Sequence, residues 1–185
     1  LVDAQAPGIA RMVRELQGIV SSGDAWPERT LGRLARVHLA VEGWKQVERL
    51  SPGEREDLRQ AIGWTYKKEE LRAQPGVRDG WRVVGRRVEE DPETGVRAQR
   101  LWLRGRASPG SIDALLLDHA YGREPFDHVF AVGGEIDAEL SFYPSAAPLR
   151  AVIKAVHASA VPFDGLDGAP SIAQALWGWA TRIAR

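Results

Sequence analysis

The chain has 185 residues, 44% hydrophobic and 27% charged, which is the composition of one ordinary globular domain or of a domain with a helical appendage. Lys+Arg and Asp+Glu are both 25, so whole-chain attraction to nucleic acid or anionic lipid is excluded and any such binding needs a local patch. There is no cysteine, which removes disulfides and thiolate metal sites, and no run approaches the roughly 20 apolar residues of a membrane span.

Nothing at the N-terminus reads as a signal peptide, and the default setting is cytoplasmic. The chain opens on Leu1 and runs straight into helix-like sequence, which suggests a piece of a longer protein. Nearly all the cations are arginines; the lysines are Lys45, Lys67, Lys68 and Lys154. A high-GC coding bias is the plain explanation.

The first helix follows Pro7 and Gly8, with Ile9, Met12, Val13, Leu16 and Val20 at helical spacing. "SSGDAWP" (21–27) interrupts it. A second helix is predicted over about 28–50, with Leu31, Leu34, Ala35, His38 and Val41 on one stripe. Leu39 and Trp44 widen that stripe, so more than one face is a candidate for burial. "SPGE" (51–54) has the pattern of a capping box, opening a third helix through Leu58, Ala61 and Ile62 that ends at Gly63. "KKEELRAQ" (67–74) suggests a short fourth helix.

The apolar period then changes from 3.6 to 2. Trp81–Glu90 and Val96–Arg106 read as strands joined by the turn "DPETG" (91–95). "IDALLLDH" (112–119), "GEIDAELSFY" (134–143) and "PLRAVIKAVH" (148–157) read as further strands, and "FDHVFAV" (126–132) as a candidate sixth. In the 134–143 run, Ile136, Ala138, Leu140 and Phe142 share one face, and Asp137, Glu139 and Ser141 the other. "PFDGLDGAP" (162–170) is a loop, and "SIAQ" (171–174) a second capping box. Ile172, Ala175, Leu176, Trp179 and Ile183 mark a last amphipathic helix. The expected fold is α+β: a helical segment (1–76), an antiparallel five- to six-stranded sheet or small barrel (77–160), and a loop and C-terminal helix packing on the rest (161–185).

Catalytic signatures are missing. No nucleophile elbow, phosphate loop or zinc-binding helix motif occurs. The glycine pair of "VGGEID" has no following helix or Lys-Ser/Thr. Asp118-His119 and Asp127-His128 repeat nine residues apart, but adjacent strand residues point to opposite faces, so solvated strand ends are the better reading. We therefore expect no catalytic residue and no metal ligand in this chain.

One binding candidate remains. Within "WRVVGRRVEEDPETGVRAQRLWLRGR" (81–106), Arg82 and Arg86 fall on one side of the first strand and Arg87 on the other, by strict alternation. Arg100, Arg104 and Arg106 share a side of the second strand, with Arg97 opposite, and Trp81 and Trp102 lie among them. A basic two-stranded ribbon with aromatics can contact phosphates and stack on bases, and a five-stranded barrel with such a face would resemble oligonucleotide-binding barrels. The nucleic-acid-binding candidates are thus Arg82, Arg86, Arg97, Arg100, Arg104, Trp81 and Trp102. Glu89, Glu90, Asp91 and Glu93 at the same hairpin oppose it, and a sheet face paired with neighbouring carboxylates is the competing reading.

The stretches "VDAQAPGIARMVRELQGIVSSGDAWPERTLGRLARVHLAVEGW", "DLRQAIGWTYKKEELRAQPGVRDGWRVVGRRVEED", "IDAELSFYPSAAPLRAVIK" and "GAPSIAQALWGWATRIAR" together resemble the region that follows the zinc finger in bacterial SWIM-zinc-finger proteins. The resemblance implies a zinc-binding parent protein whose CxC…CxH finger lies outside this chain, so no cofactor is expected here. It also implies an accessory role beside MoxR-type ATPases and von Willebrand factor A proteins. The expected function is a non-catalytic interaction or scaffold domain. A protein partner is expected, its identity open; nucleic acid is the alternative, and no membrane partner is expected.

Overall fold

The computed structural model describes residues 6–20, 23, 25–92, 94–107, 113–165 and 171–183. The chain divides into two compact units, one of residues 1–71 with 143–148, the other of residues 72–142 with 149–185. The helical segment read from sequence therefore also holds the "YPSAAP" connection.

In the first unit, α1 (Pro7–Val20), α2 (Trp26–Lys45), α3 (Pro52–Ile62) and α4 (Lys68–Arg72) follow one another, with a 3-10 turn at Val47–Arg49. Ser51 caps α3 as its sequence predicts. Its hydroxyl accepts from the Glu54 amide at 3.4 Å, and the Glu54 carboxylate accepts from the Ser51 amide at 2.7 Å. Gly63 ends α3 in the left-handed region, at φ 114°, where a side chain would be strained. A β-carbon on Gly8 would stand 2.6 Å from the Ile62 carbonyl oxygen, so glycine lets α1 cross the end of α3 at backbone contact. Ile9, Ala40 and Ile62 form the buried cluster, with Met12, Val37 and Leu58 against it. Gln60 donates to the Pro144 carbonyl at 2.7 Å, and the Ala146 amide donates to Asp57 at 3.0 Å, which ties the 143–148 segment to α3.

The α2 stripe corrects the sequence reading. Val37 and Ala40 face the cluster, whereas Leu31, Leu34, Ala35, His38 and Val41 are all exposed. Two apolar stripes run along this helix, and the one that looks stronger in sequence is the uncovered one.

In the second unit, β1 (Val77–Glu90), β2 (Val96–Gly105), β3 (Asp113–Tyr121), β4 (Gly134–Phe142) and β5 (Arg150–Pro162) form a closed barrel in the order β1-β2-β3-β5-β4. β1 is shared: Val77 to Arg82 pair with β4, and Trp81 to Glu90 pair with β2. A short parallel pairing of Leu115 and Leu116 with Arg150 and Ala151 closes the ring. The spatial sequence β4-β1-β2-β3 is a Greek key, and a five-stranded Greek-key barrel is the architecture of oligonucleotide-binding folds. The barrel interior is filled by Trp81, Val83, Leu101, Leu103, Leu116 and Ile136, among others, at alternate positions of the strands.

Residues 126–132 form no strand; Phe126 is buried within the β3–β4 connection. Ser141 is buried although alternation along β4 keeps it on the face opposite Leu140. Helix α5 (Ile172–Ile183) starts at Ser171, whose hydroxyl accepts from the Gln174 amide at 3.2 Å. Its described side chains are all exposed. The predicted positions Glu93, Ile112 and 166–170, and the Ile183 side chain, lie outside what is described.

Candidate functional site

The arginine hairpin is β1 and β2. Its register contains one irregularity that sequence alternation cannot show. Val83 pairs with Leu103 and Gly85 with Trp102, so Val84 is an extra residue and β1 bulges there. The bulge shifts the alternation by one. Arg87, not Arg86, then shares the outer face with Arg82, Arg100 and Arg104, because Arg87 stands opposite Arg100 while Arg86 stands opposite the buried Leu101. Arg86 donates instead to Gln99 at 2.7 Å. The Gln99 amide in turn donates to the His128 carbonyl at 2.7 Å, which satisfies a fully buried polar side chain. Arg97 donates to the Glu124 carbonyl and lies over the Phe126 ring at 5.0 Å.

The outer face is a set of cross-strand ion pairs. Asp113, Arg104, Arg82 and Glu135 lie in one row across β3, β2, β1 and β4. Each arginine takes the carboxylate on its far side: Arg104 meets Asp113 at 3.0 Å and Arg82 meets Glu135 at 3.0 Å. Arg106 joins Glu135 at 2.9 Å. One row along, Arg87 and Arg100 both meet Glu89. Below, Arg78 makes two hydrogen bonds to Asp137, at 3.0 and 2.8 Å, and Lys154 meets Glu139 at 2.9 Å. These bonds hold the Asp137 and Glu139 carboxyls below their ordinary range, chiefly through the hydrogen bonds from Arg78 and Lys154.

The two tryptophans of the hairpin separate completely. Trp81 is 0% exposed, and its indole N–H donates to the Ala138 carbonyl at 3.0 Å. It is a core residue with no ring face for a base, which corrects its reading as a stacking candidate. Trp102 is 36% exposed on the outer face, beside Gly85. The ribbon requires unpaired cations, and Arg82, Arg100 and Arg104 each already meet a carboxylate. Barrels of this architecture take oligonucleotides on the β2–β3 face and the β1–β2 and β4–β5 loops. Here the β1–β2 turn carries Asp91, and the β4–β5 loop is bound to α3.

The histidine pairs do not converge. Asp118 accepts from the His119 and Asp127 amides at 3.0 and 2.7 Å, so its carboxylate braces the β3–β4 connection. His128 stacks on Phe130. Among the described residues no group of three or more His, Asp or Glu is placed to hold a metal ion. With no cysteine, the chain does not fit the zinc site of a SWIM finger.

The tryptophans outside the hairpin were the sequence's less specific signal. Trp26, Trp44, Trp64, Trp177 and Trp179 are each at least 39% exposed. Trp44 and Trp64 meet edge to face at 5.9 Å, with Arg59 over the Trp64 ring at 5.4 Å. The capped, glycine-crossed helices, of which α2 carries Trp26 and Trp44, match a family model: the SWIM-associated four-helix bundle domain, over residues 1–62. Residues 1–62 are thus similar to a SWIM-associated domain. That placement fits a region following a SWIM finger, and the match stops before the barrel. No curated protein and no solved structure matches the chain. No helix among the described residues is long and apolar enough to cross a membrane.

Proposed function

We propose that this chain is a non-catalytic interaction domain of a SWIM-zinc-finger-type protein, working in the cytoplasm beside a MoxR-type ATPase and a von Willebrand factor A protein. The observation that carries the reading is the split among the tryptophans. One of them, Trp81, fills the barrel core, whereas Trp26, Trp44, Trp64, Trp177 and Trp179 keep large exposed areas. Aromatics left in water at this density are the usual substance of protein interfaces. The titratable groups support the same reading. The carboxylates with displaced pKa values are pulled down by side-chain partners, the opposite of what a general acid near neutral pH needs.

The alternative, an auxiliary nucleic-acid-binding domain, is favoured by the barrel architecture and opposed by the paired arginines. Titrating the purified chain with the purified ATPase and von Willebrand factor A proteins, by interferometry, tests the first reading. Binding that weakens at least about tenfold in Trp44→Ala or Trp177→Ala supports it. Absence of binding to both, together with oligonucleotide binding that falls steeply with salt and is lost in Arg82→Ala with Arg100→Ala, would replace it by the alternative.

A further inference from the structure

Trp102 lies on the outer face of β2 with its indole open to water on one side. Towards β1 it faces Gly85, where a β-carbon would touch the ring at 3.4 Å, so the glycine lets the indole lie over the neighbouring strand. Towards β3 it faces Leu115, partly buried, with Leu117 two places along. The ring thus rests on an apolar floor. The arginines around it are paired unevenly. Glu89 takes both Arg87 and Arg100, and Glu135 takes both Arg82 and Arg106. Each group sets two guanidiniums against one carboxylate and keeps one positive charge, on a chain whose formal net charge is zero. Arg87 and Arg106 are the most exposed side chains of the four, at 67% and 59%. Trp102 stands between the two groups. Arg100 is two residues before it, and Arg104, in the row of Arg82, two residues after it, about 7 Å each way along β2.

We propose that this face binds a single-stranded nucleic acid, with one base stacked on Trp102 and the phosphates to either side taken by Arg87 and Arg106. The proposal rests on the alternative reading above, nucleic-acid binding, and names its site. The working cations are the two in surplus, whereas Arg86 and Arg97 are turned to Gln99 and to the Glu124 carbonyl. A flat ring between two uncancelled positive charges selects this occupant. An acidic peptide would answer the charges and leave the indole unused, and an uncharged segment would do the reverse. Bases inside a duplex are already stacked on their neighbours, so only an unpaired strand offers a free ring face. This is also the β2–β3 surface on which five-stranded Greek-key barrels take oligonucleotides. The acidic Glu90 and Asp91 stand beyond Glu89 at the turn end of the hairpin, and a strand lying from Arg87 towards Arg106 runs away from them.

Fluorescence anisotropy of a labelled oligothymidylate of about ten nucleotides, titrated with this chain across a salt series, is the test. An abasic strand of the same length, the matching duplex and poly-glutamate are run beside it. The oligothymidylate is expected to bind at low salt. Trp102→Ala and removal of the bases each weaken binding by about tenfold or more, and Trp102→Phe recovers most of the loss. Arg87→Gln and Arg106→Gln each lower the slope of log affinity against log salt by about 0.7. Urea midpoints of the variants separate lost binding from lost folding. Equal affinity for the abasic strand, or full affinity in Trp102→Ala, overturns the stacking site and leaves nucleic-acid binding standing. A duplex bound as tightly as the single strand does the same. Poly-glutamate that competes as well as the oligothymidylate also overturns the site and makes the face one for acidic peptides. No binding of the oligothymidylate up to about 100 µM at low salt removes the nucleic-acid reading together with the site.

Discussion

Arg82 on β1 and Glu135 on β4 are directly opposed partners across the antiparallel ladder, and their side chains meet at 3.0 Å. The same carboxylate takes Arg106 through its other oxygen at 2.9 Å. Arg82 and Glu135 are both largely withdrawn from water, so neutralising the acid leaves two guanidiniums with one uncharged acceptor. Glu135→Gln is expected to cost about 1–2 kcal/mol, read as a lower urea midpoint at unchanged slope. An Arg82→Ala/Glu135→Ala double-mutant cycle should return a non-zero coupling.

Trp81 and Trp102 provide a contrast of position within one hairpin. Trp81 is fully enclosed and its N–H is satisfied by Ala138, so Trp81→Ala opens a cavity and leaves a carbonyl without its donor. The expected loss is about 3–5 kcal/mol. Trp102→Ala, on the outer face, should cost about 1 kcal/mol or less. Urea unfolding of the two variants checks the order, and equal losses would contradict the barrel's inside and outside.

Gly63 holds the end of α3 at positive φ, and a β-carbon there would run into the Gly8 backbone. Gly63→Ala therefore meets both strain and a clash that no flexible side chain can relieve. A loss of about 2 kcal/mol or more in the helical unit is expected, measured as a drop in its thermal midpoint. Gly18→Ala, where a β-carbon meets open space, should be neutral or slightly stabilising.

Acid should expose the Arg78–Asp137 and Lys154–Glu139 bonds. Both carboxyls have folded values below their ordinary ones. Their contribution is therefore complete above the unfolded values, near 4, and is lost as pH falls through the lower folded values. Arg78→Ala should be less stable than the parent chain at neutral pH, and the difference should shrink as pH drops below about 4. Urea midpoints across an acid series check this.

Tyr66 behaves in the opposite sense. Burial, then the hydrogen bond to Glu56 and its negative charge, push the phenol up to about 12. A folded value above the unfolded one, near 10, gives stability that is complete below about pH 10 and lost as pH rises towards 12. Absorbance titration of phenolate should show a late component, and Tyr66→Phe should remove it.

Local chemistry determined a good part of this protein. The Ser51–Glu54 box, the Gly63 stop and the change of period after α4 are interactions within a few residues, so their signals lie in adjacent letters. The residues of the candidate site were equally legible; their partners were not. Asp113 and Glu135 come to the arginines from strands placed beside β2 and β1 only by barrel closure. Only the tertiary structure decided that Arg86 turns toward Gln99 and that Arg87 joins Arg100 on the outer face, both meeting Glu89. An alternation count assumes an unbroken ladder, whereas the bulge at Val84 exists only in pairing with β2. It decided likewise which of two apolar stripes on α2 is covered. Helical periodicity fixes which side chains share a face, but which face meets a neighbour depends on where α1 and α3 arrive.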